Sequence, residues 1–123
     1  MIARLVIIAL LIGCPASRAA MQTDADPRLC YASSSQIPRS ADGSILRSSA
    51  ARTAFVRMHP CPSTGLTRGT CPGWQVDHVI PLACGGCDAP ANMQWLPTSI
   101  KSAARPDAKD RWERAVYCGQ PTP

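Results

Sequence analysis

Aromatic residues are scarce in this chain of 123 residues: three Trp, two Tyr and a single Phe. With so little bulky apolar material, Trp95 and Trp112 are expected to serve as packing residues rather than as platforms for stacking bases. Histidine occurs only at 59 and 78, and His59 precedes Pro60 in a turn, so any imidazole chemistry falls to His78. There are no internal repeats, which excludes a solenoid, and no low-complexity run beyond Ser33-Ser34-Ser35. The one continuous apolar stretch, Leu5 to Ile12, is too short to cross a bilayer. Lysine too is nearly absent; almost all the positive charge is arginine.

That apolar stretch follows a short basic start and precedes Ser17-Arg18-Ala19, the small-residue spacing of a cleavage site. Residues 1–19 therefore read as a secretory signal peptide, and the mature protein is expected to be secreted or periplasmic, with no transmembrane segment. Leu11-Ile12-Gly13-Cys14 also resembles a lipobox; Pro15 makes that processing awkward, so lipidation at Cys14 ranks behind soluble export. Six cysteines follow: Cys30, Cys61, Cys71, Cys84, Cys87 and Cys118. An even count in a small exported chain points to three disulfides. Spacing leaves about 15 pairings open; a Cys61–Cys71 loop and a tie from Cys118 to the core are the first to test. Without Arg4 and Arg18, eleven basic residues face eight acidic ones, a net of +3. A solubilising surface explains that excess as well as a polyanionic partner does.

Residues 20–44 show no sustained period and read as an N-terminal arm, loosely ordered except where Cys30 fastens it. A single domain is expected over 45–123. Alanines among Ile45, Leu46, Phe55 and Val56 predict a helix over about 48–58, stopped by His59-Pro60. Trp74 to Ile80 reads as a strand and Pro81 to Pro90 as a loop. Asn92 to Leu96 reads as a second short strand, and 97–106 as a linker with a helical turn. Pro106 and Asp107 suit a helix start, so a final helix is expected to about Tyr117, with Trp112, Ala115 and Val116 towards the core. The class is α+β, a small disulfide-stapled domain.

The chemistry concentrates between 74 and 113. Val76-Asp77-His78-Val79-Ile80-Pro81-Leu82 leads into Gly85-Gly86-x-Asp88, then Asn92-Met93-Gln94-Trp95, then Lys109-Asp110-x-x-Glu113. In that order these motifs resemble the HNH endonuclease family, and the Lys-Asp-x-x-Glu helix is similar to that of its small exported members. The resemblance spans Pro60 to Cys118 and implies a ββα-metal core. It implies His78 as the general base that takes a proton from the attacking water, a task suited to imidazole. Asp77 would ligate Mg²⁺ or Mn²⁺, and Asn92 would fix the geometry, bonding across the Gly loop or orienting the ring. Lys109 would contact the transition-state phosphate, and Asp110 or Glu113, which share a helix face, would complete or support the metal shell. Full-motif members carry a second ligating His where this chain has Lys101, and a protonated ammonium cannot ligate a metal. Successive strand residues face opposite ways, so Asp77 and His78 converge only if the strand twists or ends there.

The implied activity is divalent-metal-dependent endonucleolytic hydrolysis of nucleic acid, most readily DNA. It would proceed with little sequence preference in a monomer, the finger helix lying along the minor groove. Arg68, Arg105 and Arg111 would be among the residues gripping the backbone. The alternative is a non-catalytic, disulfide-rich exported binding module on a nuclease-like scaffold. Taken singly, Asp77-His78 reads as a surface ion pair, and Lys109 to Arg114 as a solvated helix face. Cys84-Gly85-Gly86-Cys87 with Cys61 and Cys71 suggests a four-thiolate zinc site, but the 61–71 spacing is too wide for one. A thioredoxin-like redox pair would need to open a helix rather than lie in a Gly loop.

Overall fold

The computed structural model describes residues 26–101 and 107–119. The expected signal peptide, the Cys14 lipidation site, Arg105 and Pro106 lie outside the described residues. Helix α1, Ser49–Met58, opens with the Ser48 hydroxyl accepting from the Ala51 N–H at 3.1 Å, which satisfies one of the orphan donors of the first turn. Pro60 cannot donate, and the helix closes at His59, whose N–H reaches the Phe55 carbonyl. Strand β1, Trp74–His78, pairs antiparallel with β2, Met93–Pro97, in the register Asp77↔Gln94 and His78↔Met93. Helix α2, Thr98–Lys101, continues directly from β2, and α3 spans Lys109–Tyr117. The result is a small mixed α/β fold with one two-stranded sheet and three disulfides. Among the described residues no helix is long and apolar enough to cross a membrane.

The buried apolar set is short: Ile37, Phe55, Cys61, Ile80, Leu82, Cys87, Met93 and Ala108. Phe55 joins α1 to the sheet, its ring 5.7 Å from Trp95 and 4.8 Å from His59, while the Trp95 indole N–H donates to the His59 carbonyl at 2.9 Å. A core this small rests on covalent closure. Cys30–Cys87 fastens the N-terminal segment, Cys61–Cys71 closes the turn-rich loop before β1, and Cys84–Cys118 ties the end of α3 to the loop after β1.

Three expectations are corrected. Strand β1 stops at His78 rather than Ile80, because both backbone polar groups of Ile80 are claimed by the Asn92 side chain instead of a neighbouring strand. Residues 26–44 are not a loose arm. Leu29 bridges Gly86, Cys87 N–H donates to the Arg28 carbonyl at 2.7 Å, the Cys30 and Tyr31 N–H groups share the Gly85 carbonyl, and Ile37 is buried. The apolar stripe of α3 does not face inward: Trp112 is 41% and Val116 62% exposed, whereas Lys109 is buried. This helix is held by the buried Lys109 at its start and by Cys84–Cys118 at its end.

Gly86 has no room for a side chain. A Cβ there would collide with the Ile80 carbonyl and the Asn92 amide. Gly86→Ala is expected to lower unfolding free energy by about 1–3 kcal/mol, read by guanidinium denaturation of the oxidised protein. Paired Ser replacement of Cys84 and Cys118 is expected to cost about 2–4 kcal/mol in the same measurement.

Candidate functional site

Asn92 forms the base of the site. Its side chain is fully buried in a 3-10 turn, Pro90–Asn92, just before β2. Its amide oxygen accepts from the Ile80 N–H, and its amide nitrogen donates to the Ile80 and Cys87 carbonyls, all at 2.9 Å. One side chain thus sews the two ends of the Gly loop together. Gly85, at φ +90°, ends the 3-10 turn Leu82–Cys84 in a conformation that L side chains avoid.

That loop delivers Asp88 to His78. The imidazole Nε2 lies 2.9 Å from the Asp88 carboxylate, and the second Asp88 oxygen accepts from the Ser48 N–H at the start of α1. Against an ionised carboxylate Nε2 is the donating nitrogen, and Nδ1 has no hydrogen-bond partner among the described residues. Both side chains keep some exposure, 14% for His78 and 22% for Asp88.

Asp77 points to other partners. It is buried, and its carboxylate accepts from Lys109 Nζ at 2.6 Å, Lys101 Nζ at 2.7 Å and Gln94 Nε2 at 3.0 Å. Gln94 is its direct cross-strand partner, which puts both on one face of the hairpin. Lys101 reaches it from α2 and Lys109 from α3. Lys101 also pairs with Asp110 at 3.2 Å, and Lys109 with Glu113 at 2.9 Å. The Asp77, Asp110 and Glu113 carboxylates each offer an oxygen within 4.8 Å of the others. Three carboxylates against two ammoniums leave the cluster at a net of −1.

Burial pushes the Asp77 carboxyl towards a higher pKa, but the donors from Lys101, Lys109 and Gln94 outweigh it and hold the pKa below the usual carboxylate value. Burial likewise works against the Lys101 ammonium, and Asp77 and Asp110 overcome it and raise its pKa.

The structure therefore brings the metal candidates Asp77, Asp110 and Glu113 together and sends His78 to a different carboxylate. No side-chain hydrogen bond joins Asp77 to His78 among the described residues. The strand stays regular through His78, so neighbouring side chains diverge. Among the described residues Lys109 links them, its Nζ also donating to the His78 carbonyl at 2.7 Å. Lys109, expected at the phosphate, is engaged within the cluster: its three N–H donors are matched by Asp77, Glu113 and the His78 carbonyl, and it is 4% exposed. Asn92 spans the Gly loop and does not touch the His78 ring.

Asp88, Gln94 and Lys101 were not assigned these partners from sequence. The available signal was rarity. Lys101 and Lys109 are the only lysines in the chain, and both converge on Asp77. Alongside the cluster runs an open groove of about 1050 Å³, walled by Lys101, Asp110, Glu113, Arg47, Arg111 and Tyr31, among others. The groove does not include His78. No protein-family model, curated protein or solved structure matches the chain.

The pKa shifts set a pH window. The stabilisation from Asp77 is fully present above about pH 3.9, the unfolded carboxyl value, and is lost as pH falls through its lower folded value. The stabilisation from Lys101 is present below about pH 10.4 and is lost as pH rises through its higher folded value. Asp77→Asn is expected to flatten the acid limb and to cost about 3–5 kcal/mol at neutral pH, as for a broken buried pair. Urea unfolding from acid to neutral pH checks this; equal acid slopes in parent and variant would disprove the coupling.

Proposed function

We propose that the protein is an exported, divalent-metal-dependent endonuclease of the HNH type that hydrolyses phosphodiester bonds, in DNA most readily, with little sequence preference. The observation that carries this reading is the His78–Asp88 pair. It is an oriented, partly exposed imidazole held at the end of an antiparallel hairpin whose other face carries Asp77, which Asp110 and Glu113 approach from α3. A hairpin followed by helices, with an Asn clamping the Gly loop, supports a ββα-metal core. Three disulfides are compatible with export.

His78 acts as general base through Nδ1. Asp88 holds the ring in one tautomer and stabilises the imidazolium that forms, as the third group does in other nucleophile–base arrangements. Asp77, Asp110 and Glu113 would supply the hard oxygen donors that Mg²⁺ or Mn²⁺ prefers. An ion held by these residues would supply charge stabilisation to a bound phosphate. Entry requires an ammonium to yield its place. Lys101 is the displaceable one, with a side chain 26% exposed against 5% for Lys109. Releasing Lys101 while a divalent charge enters takes the cluster from −1 to neutral. Arg47 and Arg111 along the groove suit a phosphate backbone.

One observation favours a second reading, a non-catalytic exported binding module: both Asp77 oxygens are already occupied by lysine and glutamine donors. The two readings separate experimentally. Oxidised protein with Mn²⁺ is expected to nick plasmid DNA at low salt, and His78→Gln to lower that rate by about 10²-fold or more. Lys101→Met is expected to tighten Mn²⁺ binding by about tenfold, the equivalent of roughly 1.4 kcal/mol, in a calorimetric titration. Intact plasmid together with no Mn²⁺ binding at millimolar levels would leave the binding module standing.

A further inference from the structure

A second concavity, of about 420 Å³, lies between α1 and the turn at 67–69, with Arg52, Arg57 and Arg68 around it and Thr53, Thr67 and Val56 between them. We propose that it is a phosphate subsite for a nucleic-acid backbone, separate from the carboxylate cluster and its groove.

The charge pattern comes first. The sequence holds no carboxylate between Asp42 and Asp77, yet carries Arg47, Arg52, Arg57 and Arg68 there. None of the three cavity arginines makes an ion pair among the described residues. Guanidiniums gathered around one depression without a counter-charge repel one another and lower the cost of taking up an anion. Each offers a planar fork of donors that fits phosphate oxygens in pairs, and the Thr53 and Thr67 hydroxyls can add neutral donors.

The frame is rigid. Phe55 and Cys61 are buried, which fixes α1 and the loop after it. Cys61–Cys71 closes that loop, Cys61 N–H donates to the Leu66 carbonyl at 2.9 Å, and the Ser63 hydroxyl donates to the Pro72 carbonyl at 2.8 Å. Gly69, at φ +84°, makes the turn that returns the chain after Arg68.

The rise along the helix suits a polymer. Arg52 and Arg57 are five residues apart, about 7.5 Å along the helix axis, or roughly two nucleotides of strand rise at about 3.4 Å each. The axis also starts at the catalytic dyad, because Ser48 N–H donates to Asp88, which holds His78. Arg52 and Arg57 then lie about 6 and 14 Å along α1 from that point. The subsite would grip the strand two to four nucleotides from the scissile bond. That placement rests on the nuclease reading; the phosphate binding does not.

The test uses the full oxidised chain in EDTA, so that binding is measured without cleavage, with a short fluorescein-labelled duplex followed by anisotropy from about 50 to 200 mM salt. The Arg52→Gln/Arg57→Gln/Arg68→Gln triple variant is expected to bind about tenfold or more weakly at the low-salt end. Its slope of log K against log salt should fall by about 2–3, one unit for each lost phosphate contact. Arg39→Gln, whose guanidinium is engaged with the Gly43 carbonyl, should match the parent. Circular dichroism and Tm confirm that the variants are folded. Affinity within twofold of the parent with an unchanged slope overturns the subsite. So does a parent that prefers anionic vesicles to the duplex, with the triple variant losing only that preference. Cleavage is scored separately with Mn²⁺: Arg-dependent binding without any cutting overturns the nuclease reading alone, and cutting that ignores the arginines overturns the subsite alone.

Discussion

A single buried carboxylate organises the sheet and the two helices that follow it. Asp77 sits within a two-stranded sheet, out of water, where an unpaired charge would cost several kcal/mol. The chain meets that cost with its two lysines, one from each helix that follows β2. Placing α2 and α3 is therefore largely an electrostatic matter, and α3 can leave Trp112 and Val116 outside because its anchor is Lys109 rather than an apolar stripe. The choice of lysine is physical. An ammonium is a compact charge with three donors, and Lys109 spends them on Asp77, Glu113 and the His78 carbonyl. A flat guanidinium fork would not fit that point.

The opposite side of the same strand is built by a different device. Asn92 and Gly86 hold the loop after β1 so tightly that its far end presents Asp88 to His78. The segment 26–44 braces that loop from outside through Cys30–Cys87 and its backbone bonds to Gly85 and Gly86. Two side-chain clusters thus share one hairpin. An imidazole–carboxylate pair stands on one face and a cation-satisfied acidic cluster on the other, joined through Lys109. The cluster as it stands is largely balanced from within, three carboxylates against two ammoniums, and Lys101 is the more exposed of the two lysines. Arginines share the groove beside α3 with the cluster's Asp110 and Glu113, and a second set surrounds the concavity at α1.

Much of this was legible in the chain. Breakers at His59-Pro60 and in the Gly loop, β-branched residues after Trp74 and a second short apolar run mark α1 and both strands to within a residue or two. The carboxylate spacing on α3 marks Asp110 and Glu113 as neighbours on one face. Less legible were the partners. That Asp77 would choose two lysines, and that His78 would choose Asp88 ten residues on, depends on strand alternation meeting a loop whose path Asn92 dictates. The docking face of α3 was misjudged because helical periodicity speaks for apolar burial, and a buried lysine defeats it.

Local rules operating within a few residues were settled by sequence: where helices start and stop, where the backbone must turn at Gly85, and that six cysteines would be paired. Which cysteine meets which, which cation satisfies Asp77, and which nitrogen of His78 is left open were settled only by the tertiary structure. Each of those depends on side chains from segments ten to fifty-seven positions apart arriving at one point, and no local pattern carries that distance.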